Sequence, residues 1–565
     1  MGQRLRQDTR FVQGGSTKTG TVVTSQPAKC RFSGKDTGNF PYEHLRLFVL
    51  VIILGFVLRL FAYQYTYTIN NDGTIYIHQA RAIYYGLLSA VNSCTVGYLS
   101  PYPILIAATY PILGDWVASA KVVSIFFGTI TLIPLYLLAK RFLDAKISIL
   151  VTLIFALTPV FVTVSVWGVR DPLYWFFSVL GFYFFTGQIG KGNSWGLFLS
   201  SVFFILTTWT RIETILYLFV SCLCLITAKD EQKFKRLTFF LIPPLLLSLL
   251  LLGQMIVNPS GINWHRLNDI PSRLLTSLTQ YQEVRLHLEE LIIHPPSGIP
   301  SGFFDNARTL FWFIALGTIM NNTVEAFFYP FFLIFIIGLI GRVTWKRVRE
   351  EQSVRYFAIL VASAVVVSYV YVFAYWEIES RYLVLLVLPS FIFIGFGLEK
   401  ITHFLKSRFR FKKHVALSLV VLAIMVFVLP KDLKSREADK LVFKEIGETI
   451  ALREGNSREI EVLVLGDSRR WISFYANLSF KGAPCPDKYK DYEEIVGNSY
   501  EQFVENLKAR GIRYVVWEEK RWPRQGFDFT EFHKGKDFIR LGAWSHRDTG
   551  RIILFRFLGS CEGEV

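Results

Sequence analysis

Residues 45–86, "LRLFVLVIILGFVLRLFAYQYTYTINNDGTIYIHQARAIYYG", begin as an apolar run and become polar at "NND". The apolar part, near residues 45–63, approaches the roughly 20 residues that an α-helix needs to cross a bilayer. The polar part places Asp72, Tyr76 and Ala80 four residues apart, which puts them on one face of a helix. The stretch therefore predicts a membrane-spanning helix followed by a short helix with Asp72 at its start.

The composition of the whole chain predicts a polytopic membrane protein. The 565 residues are 52% hydrophobic and have a mean hydropathy of +0.36, which is too apolar for a soluble domain. The net charge is +17, but the basic residues lie mostly between apolar runs, so we expect membrane lipid and no nucleic acid as a partner. About eleven apolar segments have nearly the length of a membrane span; they lie near residues 45–63, 118–139, 147–165, 171–189, 194–209, 212–228, 237–257, 324–341, 355–375, 381–399 and 414–430.

The distribution of Lys and Arg among the loops predicts the orientation. Alternate loops such as "KDEQKFKR" (229–236) and "RVTWKRVREEQSVR" (342–355) are basic, and short cytoplasmic loops are the ones that hold Lys and Arg. We therefore expect a multi-pass protein of the cell inner (cytoplasmic) membrane, with the N-terminus cytoplasmic and the C-terminus extracytoplasmic. Residues 1–44, rich in Gly, Ser, Thr and charge, predict a disordered cytoplasmic tail.

Three parts of the chain are predicted: the tail, a transmembrane domain over residues 45–430, and residues 431–565. The transmembrane domain has two long extracytoplasmic loops, residues 64–117 and 258–323, and "HPPSGIPSG" in the second predicts irregular structure.

Residues 431–565 predict a small extracytoplasmic α/β domain. "REIEVLVLGDSRRW" (458–471) is typical of a strand, a turn and a helix start. "YEQFVENLKARGIRYVVWEE" (500–519) predicts a helix followed by a buried strand, and "FIRLGAWSHRDTGRIILFRF" (538–557) predicts a hairpin. The six cysteines indicate neither a metal site nor a disulfide framework.

Two aspartates stand at predicted helix starts on the same side of the membrane. Asp72 follows "NN", and Asp171 precedes Pro172 in "RDPLYWFF" (170–177), so each is in the usual position of a helix N-cap. Ionisable groups near the membrane are costly, however, and are candidates for function. We therefore interpret the two aspartates as parts of one extracytoplasmic site.

Two further clusters of charge fall on the same predicted side. "TRIETILYL" (210–218) carries Arg211 and Glu213, and "ESRYLVLLVLP" (379–389) carries Glu379, Arg381 and Tyr382. Each arginine alone could simply extend to the membrane interface. Together they offer cations for an anionic lipid head group.

The order of these landmarks resembles the GT-C superfamily of integral-membrane glycosyltransferases, and within it the protein O-mannosyltransferase and aminoarabinose transferase branch. Asp72, Tyr76, Ala80 and Gly86 match the first acidic loop of that branch, although many relatives have Glu where this chain has Gly73. Further segments match in order: "SPYPILIAATYPILGD" (100–115), "YLLAKRFLDAKISILVTLIFALTPVFV" (136–162), "RDPLYWFF", "TRIETILYL" and "ESRYLVLLVLP". The resemblance covers roughly residues 45–230 and 375–400.

The resemblance implies a mainly α-helical GT-C fold with about 11 to 13 transmembrane helices and an inverting glycosyltransferase activity. A hexosyl or pentosyl sugar would pass from a polyprenyl-monophosphate carrier to a hydroxyl-bearing acceptor, which could be a protein, a glycolipid or a polysaccharide. Asp72 is the expected general base, and Asp171 would hold the acceptor or sugar, or share a divalent metal cation with Asp72. Substrate binding is assigned to Tyr76, Arg170, Arg211, Glu213, Glu379, Arg381 and Tyr382.

Two other classes of function stay open at this point. A transporter or lipid flippase would also use Asp and Arg near the membrane, but it needs polar groups along a path through the bilayer. A non-catalytic assembly or anchoring protein would use residues 431–565 as its working part, and it would be favoured if Asp72 and Asp171 lay far apart.

Overall fold

The computed structural model describes most of the chain between residues 42 and 559. The described residues are 42–94, 98–189, 194–228, 231–257, 265–464, 466, 468–489, 492–523, 527 and 536–559. The predicted disordered tail lies outside them, except for residues 42–44, which begin the first helix.

The first half of the described chain is helical. The helices are α1 (Tyr42–Gln64), α2 (Asn71–Tyr84), α3 (Pro101–Leu113), α4 (Trp116–Ile130), α5 (Leu132–Ala139), α6 (Ala145–Leu157), α7 (Pro159–Val166), α8 (Asp171–Gln188), α9 (Trp195–Thr210) and α10 (Ile215–Ile226). Short 3-10 helices cover Leu88–Asn92 and Ile212–Thr214. The carboxylates of Asp115 and Asp144 accept hydrogen bonds from the first turns of α4 and α6, so these residues fix where the helices begin.

The next section continues with long helices. They are α11 (Lys233–Val257), α12 (His265–Ile293), α13 (Ser301–Phe327), α14 (Tyr329–Leu339), α15 (Arg342–Glu350), α16 (Gln352–Tyr375), α17 (Val384–Phe409) and α18 (Lys413–Asp432). The irregular structure predicted at "HPPSGIPSG" is found at residues 294–300, and α12 and α13 fill the described part of the second long loop on either side of it. Pro295 and Pro296 end α12, since proline cannot continue a helix.

Several of these helices have the length and the apolar composition of membrane-spanning helices. In the part of the chain that is described, six helices are long and apolar enough to cross it, or up to eight if each of two bent pairs is one span. The pair α6 and α7 bends by 49° before Pro159, and α13 and α14 meet at 104°. The predicted apolar segments all fall on helices, which confirms the polytopic class. The number of described helices that meet this criterion is below the predicted eleven to thirteen. Three further apolar helices have only 10–17 residues, and α8, with 18 residues, does not meet it either.

Helix α17 forms the centre of the helical region. All residues from Val384 to Leu398 are buried, so its position is set by packing on every side. Its close partner is α14, where an added Cβ on Gly338 would lie 1.8 Å from the backbone oxygen of Phe393. The residues that precede α17, among them Arg381 and Tyr382, are therefore held at a fixed place at its N-terminal end.

The C-terminal region (residues 441–557) combines helices with one sheet. Its elements are α19 (Leu441–Glu454), β1 (Val462–Val464), α20 (Arg469–Ala476), α21 (Tyr492–Val496), α22 (Tyr500–Ala509), β2 (Tyr514–Glu518), β3 (Phe538–His546) and β4 (Gly550–Phe557). The strand order is β1-β2-β4-β3; β1 and β2 are parallel, and the other pairs are antiparallel. Val462 lies opposite Tyr514, and Val516 opposite Leu554. The predicted strand, buried strand and hairpin are confirmed.

The C-terminal region packs on the segment that carries α2. The indole Nε1 of Trp471 donates a hydrogen bond to the carbonyl of Ile69 at 2.7 Å, and Arg81 donates to the carbonyl of Asn477 at 3.0 Å. A disulfide joins Cys94, after α2, to Cys485. The spacing of the cysteines did not indicate this pair, and α2 is tied to the C-terminal region by a covalent bond and by hydrogen bonds.

Replacing Cys94 by Ser should lower the thermal stability of the protein. The disulfide closes a loop of 391 residues, and removing such a link costs about 2–4 kcal/mol of unfolding free energy. Thermal unfolding in detergent or nanodiscs measures the effect, with Cys222→Ser as the control because Cys222 is a free cysteine. Equal melting temperatures for both variants and the wild type would contradict a stabilising link.

Candidate functional site

A polar cavity of about 520 Å³ lies where α2, the start of α17 and the C-terminal region meet. The helical region contributes residues predicted for the site, namely Asp72, Glu379, Arg381 and Tyr382. The C-terminal region contributes charged and aromatic side chains, among them Arg470, Trp471, Glu518 and His546. The cavity therefore has walls from both regions.

Asp72 lies in the first turn of α2 but does not cap it. Asn70 is the N-cap, and its side-chain oxygen accepts a hydrogen bond from the backbone N–H of Asp72 at 3.0 Å. The prediction that Asp72 caps the helix is therefore wrong, because Asn70 takes that role. The carboxylate of Asp72 is free for other contacts and lies 2.7 Å from Nη2 of Arg381 and 3.6 Å from Nη1 of Arg470.

The surroundings of Asp72 favour its charged form. Burial alone would raise the pKa of this carboxyl group, but the charge and hydrogen bond of Arg381 and the charges of Arg170 and Arg470 bring the pKa below its ordinary value. Asp72 is thus an anion when the cavity holds no substrate.

Arg381 contacts three other residues of the cavity. Its Nε lies 2.6 Å from Oε2 of Glu379, and its Nη2 donates to the hydroxyl of Tyr382 at 3.1 Å and to Asp72. The side chain is 6% exposed. Burial alone would lower the pKa of Arg381, but the neighbouring carboxylates, Asp72 first, hold it well above its ordinary value. The guanidinium group therefore stays charged.

Asp171 forms a second, deeper ion pair. It is 2% exposed, and Nη1 of Arg211 donates a hydrogen bond to its carboxylate. Glu213 lies 3.8 Å from Nε of the same arginine. Arg211 also lies over the ring of Tyr382, with 4.6 Å between the guanidinium carbon and the ring centroid. The two predicted arginines, Arg211 and Arg381, thus meet at Tyr382.

Tyr76 and Arg170 lie near Asp72 but do not line its cavity. Tyr76 is buried and packs edge-on against Tyr102. Arg170 donates a hydrogen bond to the hydroxyl of Tyr98 and lies 5.4 Å from the centroid of the Tyr76 ring. Neither is among the residues that line the cavity of Asp72, so their predicted contact with substrate stays a prediction.

Two smaller spaces continue from the cavity. A pocket of about 40 Å³ contains Arg211, Glu213 and Tyr382, and Tyr382 also lines the large cavity. An apolar groove of about 410 Å³ shares Glu213 and Tyr371 with that pocket. The groove is lined mainly by α10 and α16, with the residues Ile212, Ile215, Leu216, Phe219, Val367, Val370, Ala374 and Tyr375.

The predicted divalent metal does not fit these carboxylates. Asp72 is paired with Arg381 and Arg470, and Asp171 with Arg211. Within the described residues, no three or more His, Cys, Asp or Glu side chains form a group that could hold a metal ion, whereas such cations take several oxygen ligands. No metal enters the mechanism below.

Arg470 is a charged residue of the cavity that the sequence did not indicate. It is the second residue of α20, and the buried carboxylate of Asp487 accepts its hydrogen bond at 2.8 Å. Asp487 also binds Arg469 at 2.6 Å. The adjacent arginines of "SRRW" at a predicted helix start, on the same predicted side as Asp72, are the signal that could have indicated this residue.

Part of the helical region matches a protein-family model. Residues 101–256 match the family described as dolichyl-phosphate-mannose-protein mannosyltransferase. No curated protein matches the chain.

Solved structures share the fold at low sequence identity. The structure of ArnT from Cupriavidus metallidurans bound to undecaprenyl phosphate has a TM-score of 0.52 and 10% identity, covering 93% of this chain and 99% of that one. The oligosaccharyltransferase of Archaeoglobus fulgidus, in complex with Zn and sulfate, has a TM-score of 0.52 and 12% identity over 90% of this chain and 72% of that chain. Its apo form has a TM-score of 0.51.

The family match includes Asp171 and Arg211, whereas Asp72 and Arg381 lie outside residues 101–256. The chain therefore has the fold of the GT-C membrane proteins, mainly α-helical and multi-pass, and its residues 101–256 match the dolichyl-phosphate-mannose-protein mannosyltransferase family.

Proposed function

We propose that this glycosyltransferase moves a sugar, with inversion, from a polyprenyl-monophosphate carrier to a hydroxyl group in the cavity of Asp72. The observation that supports the proposal is a series of three spaces that share lining residues: an apolar groove, a small pocket that holds Arg211 and Glu213 among mostly apolar side chains, and the polar cavity of Asp72. Such a donor has three parts in the same order: an isoprenoid chain, a phosphate and a sugar. The undecaprenyl phosphate named for the ArnT structure supports this class of donor.

The isoprenoid chain would lie in the apolar groove between α10 and α16. Side chains such as Ile215, Phe219 and Val370 line it, and apolar surface buried there contributes roughly 25 cal/mol per Å². Several of the lining residues, including Phe219, are exposed large hydrophobic side chains that lipid would cover.

The phosphate would bind between Arg211 and Arg381. Guanidinium groups pair well with phosphate oxygens, and these two both contact the ring of Tyr382. Buried cations of this kind stabilise the charge that develops on the departing phosphate. Asp171 then acts mainly by holding Arg211 in place, since its carboxylate is bound to that guanidinium group.

Asp72 would remove the proton of the acceptor hydroxyl. The acceptor oxygen attacks the anomeric carbon, the bond from that carbon to the phosphate oxygen breaks, and the proton passes to the carboxylate of Asp72. An anionic phosphate beside Arg381 would weaken the hold of this arginine on Asp72. Donor binding would therefore raise the pKa of Asp72 and make it a stronger base at the moment of transfer.

We further propose that the cavity end of the helices faces outward from the bacterial cytoplasmic membrane. The basic helix α15 precedes α16, whereas Tyr371 and Tyr375 near the other end of α16 lie by the site. Cytoplasmic loops hold an excess of Lys and Arg, so α15 would be on the cytoplasmic side.

Replacing Asp72 by Asn should lower sugar transfer by about 10²- to 10⁴-fold, as expected for loss of a general base. The fold should survive, because Asp72 does not cap α2 and Arg381 keeps Glu379 as a partner. Transfer from a panel of radiolabelled polyprenyl-phosphate sugars into membranes measures the change, with the exposed Asp305→Asn on α13 as the matched control. An active Asp72→Asn variant would remove Asp72 from the mechanism, and no transfer by the wild type from any donor would favour a transporter.

The pH dependence should differ between kcat/KM and kcat. The free enzyme holds the pKa of Asp72 below its ordinary value, so the acid limb of kcat/KM should fall only at very low pH. Bound phosphate would raise this pKa, so the acid limb of kcat should lie at higher pH, since kcat reports the enzyme–substrate complex. Measuring kcat and kcat/KM across roughly pH 3 to 8 tests this difference. If the two acid limbs coincided, the proposal that phosphate weakens the hold of Arg381 on Asp72 would be contradicted.

Replacing Asp171 by Asn should destabilise the protein by about 3–5 kcal/mol, because Arg211 then loses its buried carboxylate partner and keeps only Glu213, whose Oε2 lies 3.8 Å from Nε. The double variant Asp171→Leu with Arg211→Met should recover most of this stability and still lack transfer, because the phosphate has lost a cation. Thermal unfolding and donor binding measure the two effects separately. A double variant with normal donor affinity would remove Arg211 from phosphate binding.

A further inference from the structure

His546, the last residue of β3, brings an unused hydrogen-bond donor to the cavity. Its side chain is 7% exposed, and its ring packs on Phe443 with 4.8 Å between centroids. Both residues line the cavity, on the wall formed by the C-terminal region. A ring so enclosed is held in one orientation.

The hydrogen bonds of His546 fix which nitrogen carries the proton. The backbone N–H of Asp548 donates to Nδ1 at 3.3 Å. A backbone N–H can only donate, so Nδ1 offers its lone pair and Nε2 bears the hydrogen. Nε2 is buried and has no hydrogen-bond partner among the described residues.

The carboxylate of Asp439 faces this nitrogen across a gap. Its Oδ2 lies 3.9 Å from Nε2 of His546, which is too long for a direct hydrogen bond. An oxygen that reaches both atoms, once a small shift of the side chains opens the buried Nε2 to the cavity, would accept from His546 and donate to Asp439. A hydroxyl group can do both, as can water, whereas a carbonyl oxygen cannot donate and an amide N–H cannot accept.

This hydroxyl position is additional to the one at Asp72. The carboxylate of Asp72 belongs to α2 and is held by Arg381 and Arg470, while His546 belongs to the C-terminal wall and Asp439 lies just before α19, the first helix of that wall. An acceptor that reacts at Asp72 and also fills the gap at His546 must carry at least two hydroxyl groups within one cavity of about 520 Å³.

We infer that the acceptor is a saccharide, and that one of its non-reacting hydroxyls binds between Nε2 of His546 and Oδ2 of Asp439. The inference rests on the proposed function, because it takes Asp72 as the place of the reacting hydroxyl. It names the acceptor class and assigns its recognition to the C-terminal wall of the cavity.

The test measures saccharide binding by the full chain in lipid nanodiscs, without donor. The probes are a panel of oligosaccharides and, for comparison, a panel of Ser- and Thr-containing peptides. The wild type should bind a saccharide, and His546→Phe and Asp439→Ala should each weaken that binding by about tenfold, which corresponds to about 1.4 kcal/mol. Phe keeps the packing on Phe443, and Glu445→Ala, on the exposed face of α19, is the matched control that should bind normally.

Two further variants sharpen the assignment. His546→Gln restores an N–H donor at a similar reach and should recover part of the affinity, which a merely structural histidine would not show. Asp305→Asn, which changes an exposed residue of α13 outside the cavity, should keep both transfer and saccharide binding. If His546→Phe does not fold, Asp439→Ala carries the test, because the Asp439 side chain is 56% exposed and tolerates truncation.

Several outcomes would overturn the inference. Binding of peptides and not of saccharides would replace the acceptor class, and equal saccharide affinity in the wild type and both variants would remove the subsite. A wild type that binds no saccharide would do the same. Failure of the proposed function looks different, since it appears as no sugar transfer from any polyprenyl-phosphate donor, while saccharide binding is measured without donor.

Discussion

The ion pair of Arg381 with Asp72 is the contact on which the site depends. A buried guanidinium group is costly unless carboxylates compensate it, and this one is 6% exposed at the start of the buried helix α17. Because α17 is packed on all sides, Arg381 cannot move to meet a partner, so α2 must bring Asp72 to it. Arg470 then reaches the same carboxylate from the C-terminal region. One fixed cation thus sets the positions of two other parts of the chain.

The charges of the site are arranged so that a phosphate can enter without leaving an unpaired group. Arg211 is neutralised by Asp171, and Arg381 by Asp72 and Glu379, before any substrate is present. An incoming phosphate would share Arg211 and Arg381 with these carboxylates. Asp72 would lose part of its interaction with Arg381, and Asp72 is the proposed base. The pairing that stabilises the fold and the change of basicity that the proposed reaction needs are therefore the same interaction.

The sequence was sufficient for the helices because the length of an apolar segment is a local property. It was also sufficient to place Asp72 and Arg381 in one site, since both charges follow or precede apolar segments on the same predicted side of the membrane. It could not distinguish Asn70 from Asp72 as the N-cap, because both residue types can cap and only backbone geometry selects one. Arg470 was missed because its contact with Asp72 depends on how two separate regions dock, which no local pattern encodes.

Docking also determines what the cavity can select. The wall that carries His546 is held against α2 by the bond of Trp471 to Ile69 and by the disulfide of Cys94 with Cys485. The space between the two walls is therefore a property of the junction and not of either region alone. A related chain could keep Asp72, Arg211 and Arg381 and yet take another acceptor by changing only the C-terminal wall. Donor and acceptor recognition would then evolve separately, because they depend on different parts of the chain.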